Sequence, residues 1–271
     1  PYEKEYICKD GSRLPVLVGG VMTQPDPSQS ICFVLDNSAR KVLEQRKDTF
    51  MSMASHELKT PLTSLKLQTQ LLKKQLIRQD IRKAEVAISR MEGQLNTVTR
   101  LVEELFDLTN IQSGKLAYAW ETVNLNELLQ EIVEVLQQTQ TTHTIVLPDL
   151  TYPILLPGDR DRLGQVFLNL INNAIKYSPD ADRVEIDISV SAEAVTIGVR
   201  DDGMGIPQEQ HEKIFERFYR APGQQQVMVS GLGIGLYIVA EIVKHHKGTI
   251  TVESEIGTGS TFQVTLPRKR H

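Results

Sequence analysis

Cysteine, tryptophan and long apolar runs are all scarce in this chain of 271 residues. Its two cysteines, Cys8 and Cys32, have neither CxxC nor metal-ligand spacing, so no zinc site is expected and reduced, partly buried thiols are. No run of about 18 apolar residues is present, and the N-terminus lacks a charged segment followed by an apolar one. The expectation is that this stretch neither spans a membrane nor carries an export signal, and that it is cytoplasmic. Charge of one sign is also missing: a net −4 and an isoelectric point near 5.9 leave no footprint for nucleic acid. The terminal run Arg268-Lys269-Arg270 reads as a solvated tail.

What is there is ordinary globular material, 40% hydrophobic and 24% charged, with enough length for two domains. Three short strands are expected over Tyr2 to Cys8, Arg13 to Val21 and Ile31 to Leu35, split by the turn signal Asp10-Gly11-Ser12 and the loop Pro25-Asp26-Pro27. A helical period then runs from Ala39 to about Arg78, a rod of about 60 Å, with Asn37 or Ser38 as N-cap and Pro61 placed to kink it. A second helix, from about Asp80 to Ile111, carries Ala84, Ile88, Met91, Leu95, Val98, Val102, Leu105 and Thr109 at alternating spacings of four and three, and stops near Gly114. Two such helices form an antiparallel hairpin whose apolar seam needs a second copy to close it, hence a homodimeric four-helix bundle. From Trp120 onward helices and strands mix, predicting an α/β sandwich of about 150 residues with helices near Leu125 to Gln137, Arg160 to Lys176 and Gly233 to His245. Its strands are expected near Val184 to Val190, Val195 to Asp201, Thr249 to Ser254 and Thr261 to Leu266.

Within the first long helix stands His56-Glu57-Leu58-Lys59-Thr60-Pro61-Leu62. The apolar stripe Phe50, Ala54, Leu58, Pro61, Leu62, Leu65, Leu72, Leu76 follows a helical period, and at about 100° per residue His56 points roughly 160° away from it. A lone exposed histidine is usually just a surface residue. Here Glu57 can accept a hydrogen bond from the ring N–H, which leaves the other ring nitrogen with a free lone pair for attack, and Thr60 lies one turn on. The leading reading is a phosphate-accepting histidine.

Three local motifs follow in the second domain: Asn169-Leu170-Ile171-Asn172-Asn173-Ala174-Ile175-Lys176-Tyr177, Asp201-Asp202-Gly203-Met204-Gly205-Ile206, and Gly231-Leu232-Gly233-Ile234-Gly235-Leu236. Singly each reads as a surface helix, a turn or a helix start. In this order they resemble the N, G1 and G2 boxes of the GHKL ATP-binding (Bergerat) fold, and Ile214-Phe215-Glu216-Arg217-Phe218-Tyr219-Arg220 resembles its F box. With His56 ahead of them, residues Lys41 to Pro267 resemble a sensor histidine kinase of a two-component system. Lys9-Asp10-Gly11-Ser12, a strand pair and Phe33-Val34-Leu35-Asp36 resemble the closing strands of a PAS sensory domain. The domains implied are a PAS-like remnant over 1–37, the dimerisation and phosphoacceptor hairpin over 38–116 and the ATP-binding catalytic domain over 117–271.

The resemblance implies ATP and Mg²⁺ as cofactors. Asn173 would offer a neutral oxygen to the metal, with Asn169 one turn earlier on the same face. Lys176 would meet phosphates and Tyr177 the adenine ring. Asp201 would accept from the adenine amino group, and Gly203, Gly205 and Ile206 would let backbone approach the base. Gly231, Gly233 and Gly235 would open a helix whose free N–H groups hold phosphate, with Arg220 as a lid cation and Thr261 as a further nucleotide contact. Asp202 departs from the Asn usual in the family and adds a negative charge. His245 and His246, at a helix end, are expected as imidazolium complementing the dipole, while His143 and His211 show no partner pattern.

The expected activity is autophosphorylation of His56 by ATP, helped by Glu57, then transfer to an aspartate of a response regulator receiver domain, with Thr60 serving the reverse phosphatase reaction. Two alternatives stay open: a GHKL scaffold that binds ATP without phosphorylating itself, and a protein used mainly as a response-regulator phosphatase.

Overall fold

Strand alternation near the N-terminus yields a three-stranded antiparallel sheet, β1 (Tyr2–Ile7), β2 (Arg13–Met22) and β3 (Ser30–Asp36), in that order. The computed structural model describes residues 1–22, 30–77, 80–139, 142–149, 152–219 and 232–269. Two compact units divide the chain at His56, residues 1–56 and 57–271. The sheet of the first unit buries Val16 but leaves Ile7, Val21, Ile31, Val34 and Leu35 exposed. Cys8 is half-buried; Cys32 is exposed, because its place on an uncovered strand overrides the burial expected of a thiol.

Helix α1 (Ser38–Ile77) runs unbroken through Pro61, and Asn37 accepts its first backbone bond from Lys41 at 3.0 Å. Its buried positions, Phe50, Ala54 and Pro61, follow the expected stripe, whereas Leu62 and Leu76 are exposed at its edges. Helix α2 (Ile81–Gln112) begins at the N-cap Asp80, whose carboxylate accepts from the Lys83 N–H at 3.2 Å. On α2 the expected seam is buried only at Ala84, while Ile88, Leu95 and Val102 remain about half exposed; the other buried apolar residues, Ala87, Leu101 and Leu108, lie beside that seam.

The α/β part contains β4 (Glu121–Asn124), α3 (Leu125–Thr139), β5 (Thr144–Val146), β6 (Leu155–Gly158), α4 (Arg160–Tyr177), β7 (Arg183–Val190), β8 (Ala194–Asp201), α5 (Gly235–His245), β9 (Thr249–Glu255) and β10 (Gly259–Pro267). The main sheet runs β5-β7-β8-β10-β9, antiparallel except for the parallel β5/β7 pair, and β4 pairs with β6 apart from it. Alternation along β7, β8 and β10 turns Val184, Ile186, Val195, Ile197, Val199, Val264 and Leu266 inward against α4 and α5. The opposite face is polar, with the hydroxyls of Thr196 and Thr265 2.9 Å apart. Helix α4 presents Leu163, Phe167, Leu170 and Ile171 to this core without residual exposure, each worth about 1.5–3 kcal/mol of burial. The chain thus folds as a helical hairpin followed by an α/β domain with a mixed sheet, as expected.

Candidate nucleotide-binding site

The inward pleat of β8 ends on Asp201, which lies opposite Ser260 of β10 and is 4% exposed. Its Oδ1 accepts from the Gly203 N–H at 2.9 Å. Burial pushes the Asp201 carboxyl up to about 6, against the opposing pull of backbone N–H donors from Gly203 and Ser260. A raised carboxyl at the bottom of a cleft marks a functional candidate. The chain then passes so close to α4 that a Cβ on Gly203 would lie 2.3 Å from the Tyr177 carbonyl, which accepts from the Met204 N–H at 3.2 Å.

A cavity of about 430 Å³ opens above Asp201. Asn169, Asn173, Lys176 and Tyr177 reach it from α4, Gly205 and Ile206 from the segment after β8, and Gly233 and Gly235 from the start of α5. The Lys176 ammonium lies 5.1 Å from the Tyr177 ring centroid. Helix α5 starts without a side-chain cap, so the N–H groups of its first turn are available to an acceptor. An anion held there would meet Lys176 on the facing helix, and a planar base would meet Tyr177 and the Asp201 acceptor. The cavity therefore brings together what a nucleoside polyphosphate needs.

Two of the expected residues, Thr261 and Gly203, do not line this cavity. Thr261 falls between Ser260 and Phe262, which do line the cavity, and the pleat turns it to the polar face beside Gly198. Gly203 shapes the turn without lining the cavity. Arg220, Gly231 and the Gly223-Gln224-Gln225-Gln226 loop lie outside the described residues. Asp202 sits 3.6 Å from Arg200 across an exposed pair. His56 and Thr60 are exposed on α1, with Glu57 half-buried between them.

Sequence reasoning missed Arg100 and Glu104 of α2, which line the cavity from outside the α/β domain. The charge state expected of His246 is also corrected. His246 is 3% exposed, its Nδ1–H donates to the Ile242 carbonyl at 2.8 Å and its Nε2 accepts from the Asp159 N–H at 3.0 Å. Burial holds its pKa below the usual histidine range, so it is neutral and not an imidazolium serving the helix dipole. His143 is equally buried, with Nε2 2.9 Å from the Ser178 carbonyl and Nδ1 2.9 Å from the Thr142 hydroxyl.

Two family models match separate stretches of the chain. Residues 46–114 match the His Kinase A (phospho-acceptor) domain, and residues 158–270 match the histidine kinase-, DNA gyrase B-, and HSP90-like ATPase family. The chain is 31% identical over 243 residues to the sensor histidine kinase WalK of Bacillus subtilis, a match spanning 88% of this chain and 39% of that protein. It is 33% identical over 215 residues to the signal transduction histidine-protein kinase ArlS of Staphylococcus haemolyticus, spanning 79% and 47%. Among solved structures, Acinetobacter baumannii histidine kinase AdeS is similar with a TM-score of 0.56 and 25% identity, over 79% of this chain and 98% of that one. The fold and cleft thus define a phosphoacceptor hairpin joined to an ATP-binding domain. The chain belongs to the sensor histidine kinases of two-component systems, and it spans about 40–50% of the length of the curated relatives it matches. Among the described residues no helix is long and apolar enough to cross a membrane.

Proposed function

We propose that this chain is an ATP-dependent protein kinase acting on its own His56. The observation that carries the reading is the convergence of Asn173, Lys176, Tyr177, Asp201 and the start of α5 on one cavity, in a chain that also exposes His56 beside Glu57 on α1. In the reaction, a ring nitrogen of His56 attacks the γ-phosphorus of ATP, an N–P bond forms, the bond to the β-γ bridging oxygen breaks, ADP leaves, and Glu57 takes the ring proton. Asp201 accepts from the adenine amino group and so selects adenine over guanine.

Mg²⁺ fits this cleft. Among the described residues no cluster of carboxylates, histidines or cysteines could hold a metal, and the side chains facing the phosphate end include the neutral amides of Asn173 and Asn169. Such a donor set suits an ion that takes most of its ligands from phosphate and water. When bound it neutralises phosphate charge.

The same reading extends to partners and domains. The half-exposed row Ile88, Leu95 and Val102 on α2 supports a homodimer built by pairing hairpins, residues 38–116, with a second copy. Residues 117–271 then form the catalytic domain, and the uncovered sheet over 1–37 supports a PAS-like sensory origin. A response regulator receiver domain would accept the phosphoryl group from His56 on an aspartate, and Thr60, exposed one turn on, would position water for dephosphorylating it.

The test is incubation with radiolabelled Mg·ATP of the parent, His56→Ala and Asn173→Ala. Acid-labile, base-stable label on the parent and none on either variant is the expected result. Nucleotide binding without label on an intact dimer would overturn the kinase reading in favour of a scaffold or a phosphatase.

A further inference from the structure

The nucleotide cavity is not walled by the catalytic domain alone. Arg100 and Glu104 of α2 line it together with Asn173 and Lys176 of α4. Glu104 is 7% exposed and bonded to Arg100 one turn earlier, and it feels the positive charge of Lys176 as well. Burial still pushes its carboxyl above the usual range, so the ionised form is held there at a cost. One turn further on, Asp107 is bound by α4 directly: Arg162 Nη1 donates to it at 2.8 Å and Gln165 Nε2 at 2.6 Å. Arg162 also donates to Gln165 at 2.9 Å, so the three side chains form a closed cluster. Helix α2 is thereby seated on the helix that carries Asn169, Asn173 and Lys176.

We propose that Glu104 is an internal competitor for the phosphates of ATP, so that nucleotide binding and the seating of α2 on α4 oppose one another. This rests on the reading of the cavity as the ATP site. The seated carboxylate engages Arg100 and faces Lys176, the cations a polyphosphate entering this cavity needs, and a second set of negative charges beside it is repelled. Either Glu104 leaves or the nucleotide binds more weakly. Linkage makes the effect reciprocal: whatever weakens the seat tightens ATP, and ATP loosens the seat by the same factor. Loading with ATP therefore loosens the hold of α2 on α4.

The test is calorimetric titration of the full chain and of Glu104→Gln with Mg·ATP and, separately, with adenosine. Removing one charge beside the phosphates should tighten ATP about tenfold, while adenosine, which reaches Asp201 but brings no phosphate, changes by less than about twofold. Asp107→Asn, which loosens the seat without touching the cavity, should tighten ATP about threefold by the same linkage. In the parent, ATP should speed hydrogen exchange over residues 101–108. Equal ATP affinity in parent and Glu104→Gln, an equal gain for adenosine, or slowed exchange over 101–108 would each overturn the proposal. A parent that binds adenosine and ATP nowhere would overturn the ATP reading itself, a distinct outcome.

Discussion

The backbone N–H of Asp159 donates to Nε2 of His246 across 3.0 Å, joining the start of α4 to the end of α5. Asp159 has two further duties: its Oδ1 caps α4 by accepting from the Arg162 N–H at 3.0 Å, and its Oδ2 accepts from the Ala119 N–H at 2.7 Å. His246 therefore fixes the residue that ties the segment ahead of β4 to the start of α4. Its depressed folded pKa means that the unfolded chain takes up a proton first as pH falls. The stability it contributes is complete above about pH 6.5 and is lost below that. Replacing it by Ala leaves a buried N–H without an acceptor and should cost about 1–3 kcal/mol at pH 7.5. The check is thermal melting between pH 8 and 5, where the gap between parent and His246→Ala should narrow as the pH falls.

Asp201 has the opposite sign. Its folded pKa of about 6 exceeds the unfolded value, so the folded chain holds the proton more tightly and stability falls as pH rises toward 6. Above pH 6 the buried charge costs the fold on the order of 3 kcal/mol. Asp201→Asn removes that charge while keeping an oxygen for the Gly203 N–H. The variant should melt higher than the parent at pH 7.5 and equally at pH 4. It should also bind ATP about 10–100-fold more weakly, the loss expected for one charge-assisted hydrogen bond to adenine.

Much of this site was legible because its parts are local. The N-box residues share one face of one helix, and the glycine motifs mark turns that the following residues complete. Asp201 could be placed at a strand end from alternation alone. Thr261 could not, since deciding between it and its neighbours Ser260 and Phe262 requires the β8/β10 register that sets Ser260 opposite Asp201. The strands β4, β5 and β6 span only three or four residues each, too few to show a period. His246 was misread because its burial is non-local: the Trp120 ring lies 4.9 Å from it and Tyr118 stacks on His245 at 3.8 Å. Burial also pushes the Tyr118 hydroxyl up to about 12. Arg100 and Glu104 carry no local signal at all, because only the docking of α2 brings them to the cavity.

Gly205 and Gly257 separate backbone conformation from space. Both have positive φ, +70° and +81°, but a Cβ on Gly205 would lie 2.0 Å from the Glu255 carbonyl, whereas one on Gly257 would meet nothing within 4 Å. Gly257→Ala should cost only the left-handed penalty, about 1–2 kcal/mol. Gly205→Ala adds an overlap with backbone that no rotamer relieves, and a loss of more than about 4 kcal/mol is expected. Urea denaturation of the two variants gives the comparison. ATP binding should survive in Gly257→Ala and fail in Gly205→Ala, where the segment lining the cavity must shift.

Glu57 offers the sharpest test of the chemistry, because its proposed work begins only when phosphate reaches His56. Glu57→Gln keeps the size of the side chain and can still accept a hydrogen bond from the imidazole, but it cannot take the proton. Loss of a general base lowers the rate by about 10²–10⁴-fold, and the nucleotide cavity, which Glu57 does not line, is left intact. The expected result is a fall in the maximal rate of autophosphorylation of at least about 100-fold with the KM for ATP unchanged. Glu57→Asp should recover part of the rate. A variant in which KM rises while the maximal rate holds would place Glu57 in nucleotide binding instead, and one in which both are unchanged would leave His56 to lose its proton directly to water.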